Sequence, residues 1–159
     1  MACQAIRNGD CEAAVVGSVR VNLLPIKNQL NFGATSSSGR AKTFDDHSDG
    51  TGSGEGVITV LLKPLGLAVH DRDSIYGVLK GSACNQDGNS VGLTAPNVMA
   101  QRDVLLEAWK DAKIEPQTIS YIEAHGTGTK LGDPIEIDAI NQAFRQYTDK
   151  RQFLSLIHI

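Results

Sequence analysis

Short apolar runs that end on glycine-rich turns and pass directly into helix-patterned segments constrain this chain more than any other feature. The run Thr118 to Ala124 leads into His125-Gly126-Thr127-Gly128-Thr129, and Asp133-Pro134-Ile135-Glu136 then opens a segment with Ile140, Ala143, Phe144 and Tyr147 at helical spacing. Strands alternating with helices through such turns predict an α/β layered architecture. Of the 159 residues, 16 are glycine and only 5% are aromatic, which favours small side chains and tight backbone turns over a helical bundle. The length suits one domain or part of one.

The same reading extends along the chain. Residues 2 to 9 read as the tail of a helix closed by Asn8-Gly9, and Glu12 to Val19 as an apolar strand. From Arg20 to Gly56 there is little periodicity, and the stretch closes on Asp49-Gly50-Thr51-Gly52-Ser53-Gly54-Glu55-Gly56; so long a loop inside a compact domain is usually functional. Val57 to Lys63 is a strand ended by Pro64, and Ile75 to Lys80 begins another after the polar turn Asp71-Arg72-Asp73. Val104, Leu105, Ala108, Trp109 and Ala112 share one helical face between Gln101 and Lys113, ahead of Pro116.

Charge and cysteine usage exclude several classes. With 15 Lys plus Arg against 18 Asp plus Glu and no basic block, the chain has no electrostatic footprint for nucleic acid or anionic lipid. The longest apolar runs are too short to span a bilayer and the first residues lack a secretory pattern, so a cytoplasmic protein is expected. The three cysteines, Cys3, Cys11 and Cys84, lack paired spacing and predict neither a disulfide framework nor a metal site. Asp45, Asp46 and Asp49 fail as a calcium loop, because His47 and Ser48 break the ligand pattern and Gly56 stands where a bidentate Glu is needed.

Phosphate binding also fails on spacing. Neither Gly50 to Gly56 nor Gly126 to Gly132 has the Gly-x-Gly-x-x-Gly register, and no Gly-Lys-Ser/Thr closes a phosphate loop. His125 is the better candidate for chemistry. It sits at a predicted strand end among small residues that let a substrate approach, with the Thr127 and Thr129 hydroxyls beside it, where an imidazole N–H could face a developing oxyanion. Asp133 suits an N-cap, Pro134 the first helical position and Glu136 the third, so a capping box accounts for that spacing.

The residues Glu123 to Thr129, continuing to Gly132-Asp133-Pro134-Ile135-Glu136, resemble the signature of β-ketoacyl synthases. Asp49 to Gly56 resembles the Asp-Gly-x-Gly-x-Gly-Glu-Gly run of these enzymes, and Asn31-Phe32-Gly33 falls in the equivalent preceding loop. Gly81-Ser82-Ala83-Cys84-Asn85-Gln86-Asp87-Gly88, with Leu93-Thr94-Ala95-Pro96-Asn97, is similar to the ketosynthases of modular polyketide synthases in particular. The resemblance runs from Ala2 to about Phe153.

It implies a thiolase-like layered αβαβα fold, represented in part: residues 1–63 as the end of the N-terminal half, residues 64–153 as the start of the C-terminal half, and residues 154–159 as a non-native tail. It implies decarboxylative condensation, in which a cysteine takes an acyl chain from the phosphopantetheine arm of an acyl carrier protein and a decarboxylated malonyl-type extender attacks it. No cofactor is bound covalently; the carrier protein and the acyl and malonyl-type thioesters are the implied partners, and the full domain is a homodimer. By match, His125 is the first catalytic histidine, a neutral donor to the enolate, Thr127 and Thr129 hold the pantetheine arm, and Glu136 with Asp133 braces the active site. The family's nucleophile turn falls before residue 1, and its Lys-x-Asn-Ile-Gly-His segment should follow residue 153, so His158 is not the second histidine and the segment alone is expected to be inactive and poorly folded. A catalytically silent thiolase-like interaction domain is the alternative.

Overall fold

The structure, a computed structural model, describes residues 1–21, 35–90, 92 and 95–149. Asn31-Phe32-Gly33, Leu93-Thr94 and the 154–159 segment with His158 lie outside the described residues. Two compact units emerge, one from the described residues of 1–29 and 54–78, the other from those of 30–53 and 79–159. The loop preceding residue 54 therefore groups with the later part of the chain rather than with the strand that follows it.

In the first unit, helix α1 spans Ala2–Asn8 and stops where the sequence predicts. Gly9 takes the left-handed conformation (φ 80°), and the Gly9 and Asp10 amides donate to Ile6 and Ala5 carbonyls at 3.1 and 2.9 Å, closing the helix end. Strands β1 (Ala14–Arg20) and β2 (Gly56–Leu62) pair antiparallel, with Val15 opposite Leu61, Val16 opposite Val60 and Val19 opposite Val57. Both faces of this ribbon are apolar and exposed: Val15, Val19, Val57 and Leu61 stand on one, Val16, Ile58 and Val60 on the other. That pattern belongs to strands covered on both sides. Helix α2 (Leu65–His70) follows Pro64 and was not foreseen; six residues are too few for periodicity to show. The predicted polar turn closes it, with Lys63 Nζ reaching Asp71 at 2.5 Å and Asp73 at 2.7 Å.

The second unit is built on two helices, α3 (Val98–Ala112) and α4 (Gly132–Phe144). Asn97 caps α3, its side-chain oxygen accepting from the Met99 and Ala100 amides at 2.9 and 3.4 Å, so the helix begins three residues before Gln101, where the apolar pattern placed its start. Trp109, Ile140, Ala143 and Phe144 form the buried core, with Leu105, Leu106, Ile114, Ile119 and Ile122 packed against it. The Trp109 ring lies 4.8 Å from Phe144 and 6.1 Å from Tyr147, centroid to centroid, both in tilted or edge-on geometry that aromatic quadrupoles favour. The segment before α3 is tied to it: the Ser82 amide donates to Asp111 at 2.8 Å and the Asn85 side chain to the Ala100 carbonyl at 2.7 Å.

Two expected strands are absent. Ile75 to Lys80 and Thr118 to Ala124 form no ladder with a neighbouring strand among the described residues, and Pro116–Thr118 is instead a short 3-10 turn. A strand exists through its neighbour's hydrogen bonds, and an apolar run specifies its own burial but not that neighbour. Tyr76, Val78 and Leu79 are exposed accordingly.

Candidate active site

The site is assembled in the second unit, where residues 123–136 meet the loop 41–50. The carboxylate of Glu136, one turn into α4, reaches back to the His125 turn: Oε1 accepts from the His125 amide at 2.6 Å and Oε2 from the Gly126 amide at 2.8 Å. Asp133, only 3% exposed, does the equivalent one step on. Its Oδ1 accepts from the Gly128 amide at 3.0 Å, and its Oδ2 from the Phe44 amide at 2.8 Å. One buried carboxylate thus joins the two loops through charge-assisted bonds.

This corrects the capping-box expectation. The N-cap of α4 is Leu131, and neither Asp133 nor Glu136 bonds the helix's own first turn. Thr129 serves that end instead, its hydroxyl accepting from the Gly132 amide at 3.1 Å and its carbonyl from the Asp133 amide at 3.3 Å. The spacing of the two acids is right for a cap, but turn amides supplied by tertiary folding outcompete the helix amides for the same oxygens. Both acids are brought to the His125 turn.

The loop supplies the opposite wall. The Thr43 hydroxyl donates to the Gly126 carbonyl at 2.6 Å and the Gly50 amide to the Gly128 carbonyl at 2.8 Å. Gly126 and Gly128 have φ of 51° and 72°, and a Cβ on Gly128 would sit 2.9 Å from the Gly50 carbonyl oxygen and 3.0 Å from the Lys42 nitrogen. Only glycine satisfies both the turn and the close approach. The loop holds itself in shape through Asp49, which accepts from the Ser36 hydroxyl at 2.8 Å, the Ser37 amide at 3.1 Å and the Ser37 hydroxyl, with Lys42 paired at 3.5 Å. Those serine bonds hold the Asp49 carboxyl far below its usual range, with Lys42 adding to the effect. Asp45 is likewise lowered, chiefly by the His47 amide. Both carboxylates are thus already engaged by protein donors, and among the described residues no cluster of histidine, cysteine or acidic side chains is arranged for a metal ion.

His125 itself is exposed, and its imidazole has no hydrogen-bond partner among the described residues; only its backbone is pinned. Thr127 and Thr129 stand side by side, hydroxyl to hydroxyl at 3.1 Å. The result is a rigid turn presenting a free imidazole and a pair of hydroxyls. Composition and spacing gave no sign of Thr43, Phe44 or Gly50 as partners of the turn; the glycine run from residue 50 was the one available signal.

Comparison with known proteins bears on what such a turn belongs to. Residues 1–68 match the family model for the β-ketoacyl synthase N-terminal domain and residues 76–157 the model for its C-terminal domain. The chain belongs to the β-ketoacyl synthase family. It is 50% identical over 159 residues to the polyketide synthase PksL of Bacillus subtilis, across 98% of this chain and 4% of that protein. It is 44% identical over 142 residues to a phenolphthiocerol/phthiocerol polyketide synthase of Mycobacterium tuberculosis, across 88% of this chain and 8% of that protein. The ketosynthase from module 6 of the bacillaene synthase of Bacillus subtilis superimposes with a TM-score of 0.92 at 42% identity, covering 98% of this chain and 28% of that one. The oxazolomycin ketosynthase domain of Streptomyces albus gives 0.90 at 39%, covering 98% and 27%. The chain is thus a segment of a ketosynthase of the modular polyketide synthase kind, with part of its thiolase-like α/β fold. It spans under a third of the length of the solved ketosynthase chains named here.

Proposed function

We propose that the chain is part of a ketosynthase domain that lengthens a polyketide by decarboxylative Claisen condensation, and that His125 serves the decarboxylation. A cysteine thiolate elsewhere in the domain takes an acyl group from the phosphopantetheine thiol of an acyl carrier protein, displacing that thiol. The carboxylate of a malonyl-type extender then leaves as carbon dioxide, and its bonding electron pair passes into the extender's thioester as an enolate. The neutral His125 imidazole donates its N–H to that oxygen as charge builds, and the enolate carbon attacks the acyl-enzyme carbonyl, releasing the cysteine thiolate and a β-ketoacyl thioester. Thr127 and Thr129 bond the pantetheine arm, while Glu136 and Asp133 hold the turn.

The observation that carries this reading is the pinned backbone and free side chain of His125: Glu136 holds the His125 and Gly126 amides at 2.6 and 2.8 Å while the imidazole stays exposed. Preorganised donors cost no reorganisation when the charge appears. On this reading residues 1–63 end the N-terminal half of the domain and residues 64–153 begin the C-terminal half. The nucleophile and second histidine then lie beyond the 159 residues, so the segment alone does not condense. The full domain works as a cytoplasmic homodimer.

The test is His125→Ala in the complete domain. Acylation of the nucleophile should persist while extender decarboxylation falls by about a hundredfold or more, the usual loss for one oxyanion donor. Decarboxylation at the parental rate would refute the assignment, and a parental domain that neither acylates nor decarboxylates would favour a silent interaction module.

A further inference from the structure

The His125 turn is clamped from two sides, and only one side consists of the acids on α4. The other is the loop 41–50, whose residue Phe44 occupies the left-handed region (φ 59°), a costly conformation for a bulky side chain. Phe44 is held there by the Asp133 carboxylate, which accepts its amide at 2.8 Å. The preceding residue, Thr43, lies against Gly126. There its hydroxyl donates to the Gly126 carbonyl at 2.6 Å, and its methyl lies directly where a Cβ on Gly126 would project. Gly126 is therefore held on both sides, the His125–Gly126 peptide through its amide on Glu136 and the Gly126–Thr127 peptide through its carbonyl on Thr43.

We propose that Thr43 is a positioning residue for His125, acting through the Gly126 carbonyl. Gly126 lacks a side chain and has a positive φ, so its backbone has more freedom than any other residue would allow, and the bond from its amide to Glu136 leaves the following Gly126–Thr127 peptide free to rock against it. The Thr43 bond removes that freedom, and with it the spread of directions in which the adjoining His125 imidazole points. An N–H donor aimed at a developing oxyanion loses much of its effect when it is displaced by an ångström. The inference rests on the decarboxylation reading of His125.

The experiment is Thr43→Val, which keeps shape and removes the hydroxyl, beside Thr43→Ser, which keeps the hydroxyl. Both are made in the complete ketosynthase domain with a malonyl-carrier thioester as probe. T43V should lower kcat for decarboxylation about five- to 150-fold, the range for one lost hydrogen bond that leaves a carbonyl unsatisfied, at unchanged KM, while T43S recovers most of it. Parental kcat in T43V overturns the proposal. So does a loss that T43S fails to restore, or one shared equally by nucleophile acylation, since either marks a merely structural residue. If T43V does not fold, Thr43→Ala against T43S makes the same comparison. A parental domain that fails to decarboxylate the probe refutes the underlying functional reading instead, so the two failures are distinct.

Discussion

Replacing Asp133 by Asn tests whether one buried carboxylate joins the two loops. The side chain is 3% exposed and its oxygens accept from the Phe44 amide at 2.8 Å and the Gly128 amide at 3.0 Å. An Asn keeps one acceptor and turns an NH2 toward the other amide, so one bond to a charged group, worth about 1.5–3 kcal/mol, is lost outright and the other drops to the neutral range. Relief from burying the charge offsets part of this, which leaves about 3 kcal/mol. At 1.36 kcal/mol per tenfold, local opening should become about 150 times more frequent. Amide hydrogen exchange in the complete domain reads it directly: Phe44 and Gly128 should exchange faster by that order, while amides in α3 keep their protection. Protection at both sites within threefold of the parent would show that the carboxylate is not what joins the loops.

Three further outcomes follow from the same geometry. Gly128→Ala forces a left-handed alanine against the Gly50 carbonyl and the Lys42 nitrogen at 2.9 and 3.0 Å, costing roughly 2–4 kcal/mol from conformation and overpacking together. Its soluble yield and melting temperature should fall well below those of Gly92→Ala, and equal values would contradict the close approach. The Asp49 carboxyl is lowered by its serine partners, so its contribution is complete above the ordinary value of about 3.9 and is lost as pH falls below that through the lowered one. Exchange at the Ser37 amide should thus be steady from neutral pH to about pH 4, faster below it once intrinsic rates are divided out, and independent of pH in Asp49→Asn. Finally, the 159-residue segment alone should self-associate and bind an apolar dye through the two bare faces of β1–β2; a concentration-independent monomer that unfolds cooperatively would count against this.

The residues of the proposed site were legible as a group because they are local. His125, Thr127, Thr129, Asp133 and Glu136 fall within twelve consecutive residues, and small residues around a histidine at the entry to a helix make a pattern that sequence carries whole. Helix ends were legible for the same reason: Gly9 after α1 and the apolar face before Pro116 act within a turn of the chain. What the two acids do was not. Their spacing fits a capping box equally well, and only the folded chain shows their oxygens given to Phe44, His125, Gly126 and Gly128.

The sequence by itself determined the α/β class, the family and the residues of the turn, because each is written in neighbours a few positions apart. Tertiary structure decided which strands have partners and which loop backs the turn. Thr43 and Gly126 are 83 positions apart and Phe44 and Asp133 are 89 apart, and the bonds between them exist only once chain entropy over that distance has been overcome by the packing of the whole unit. Ile75 to Lys80 and Thr118 to Ala124 illustrate the converse: their apolar character is local, but the ladder that makes a strand must come from elsewhere in space, and among the described residues none does.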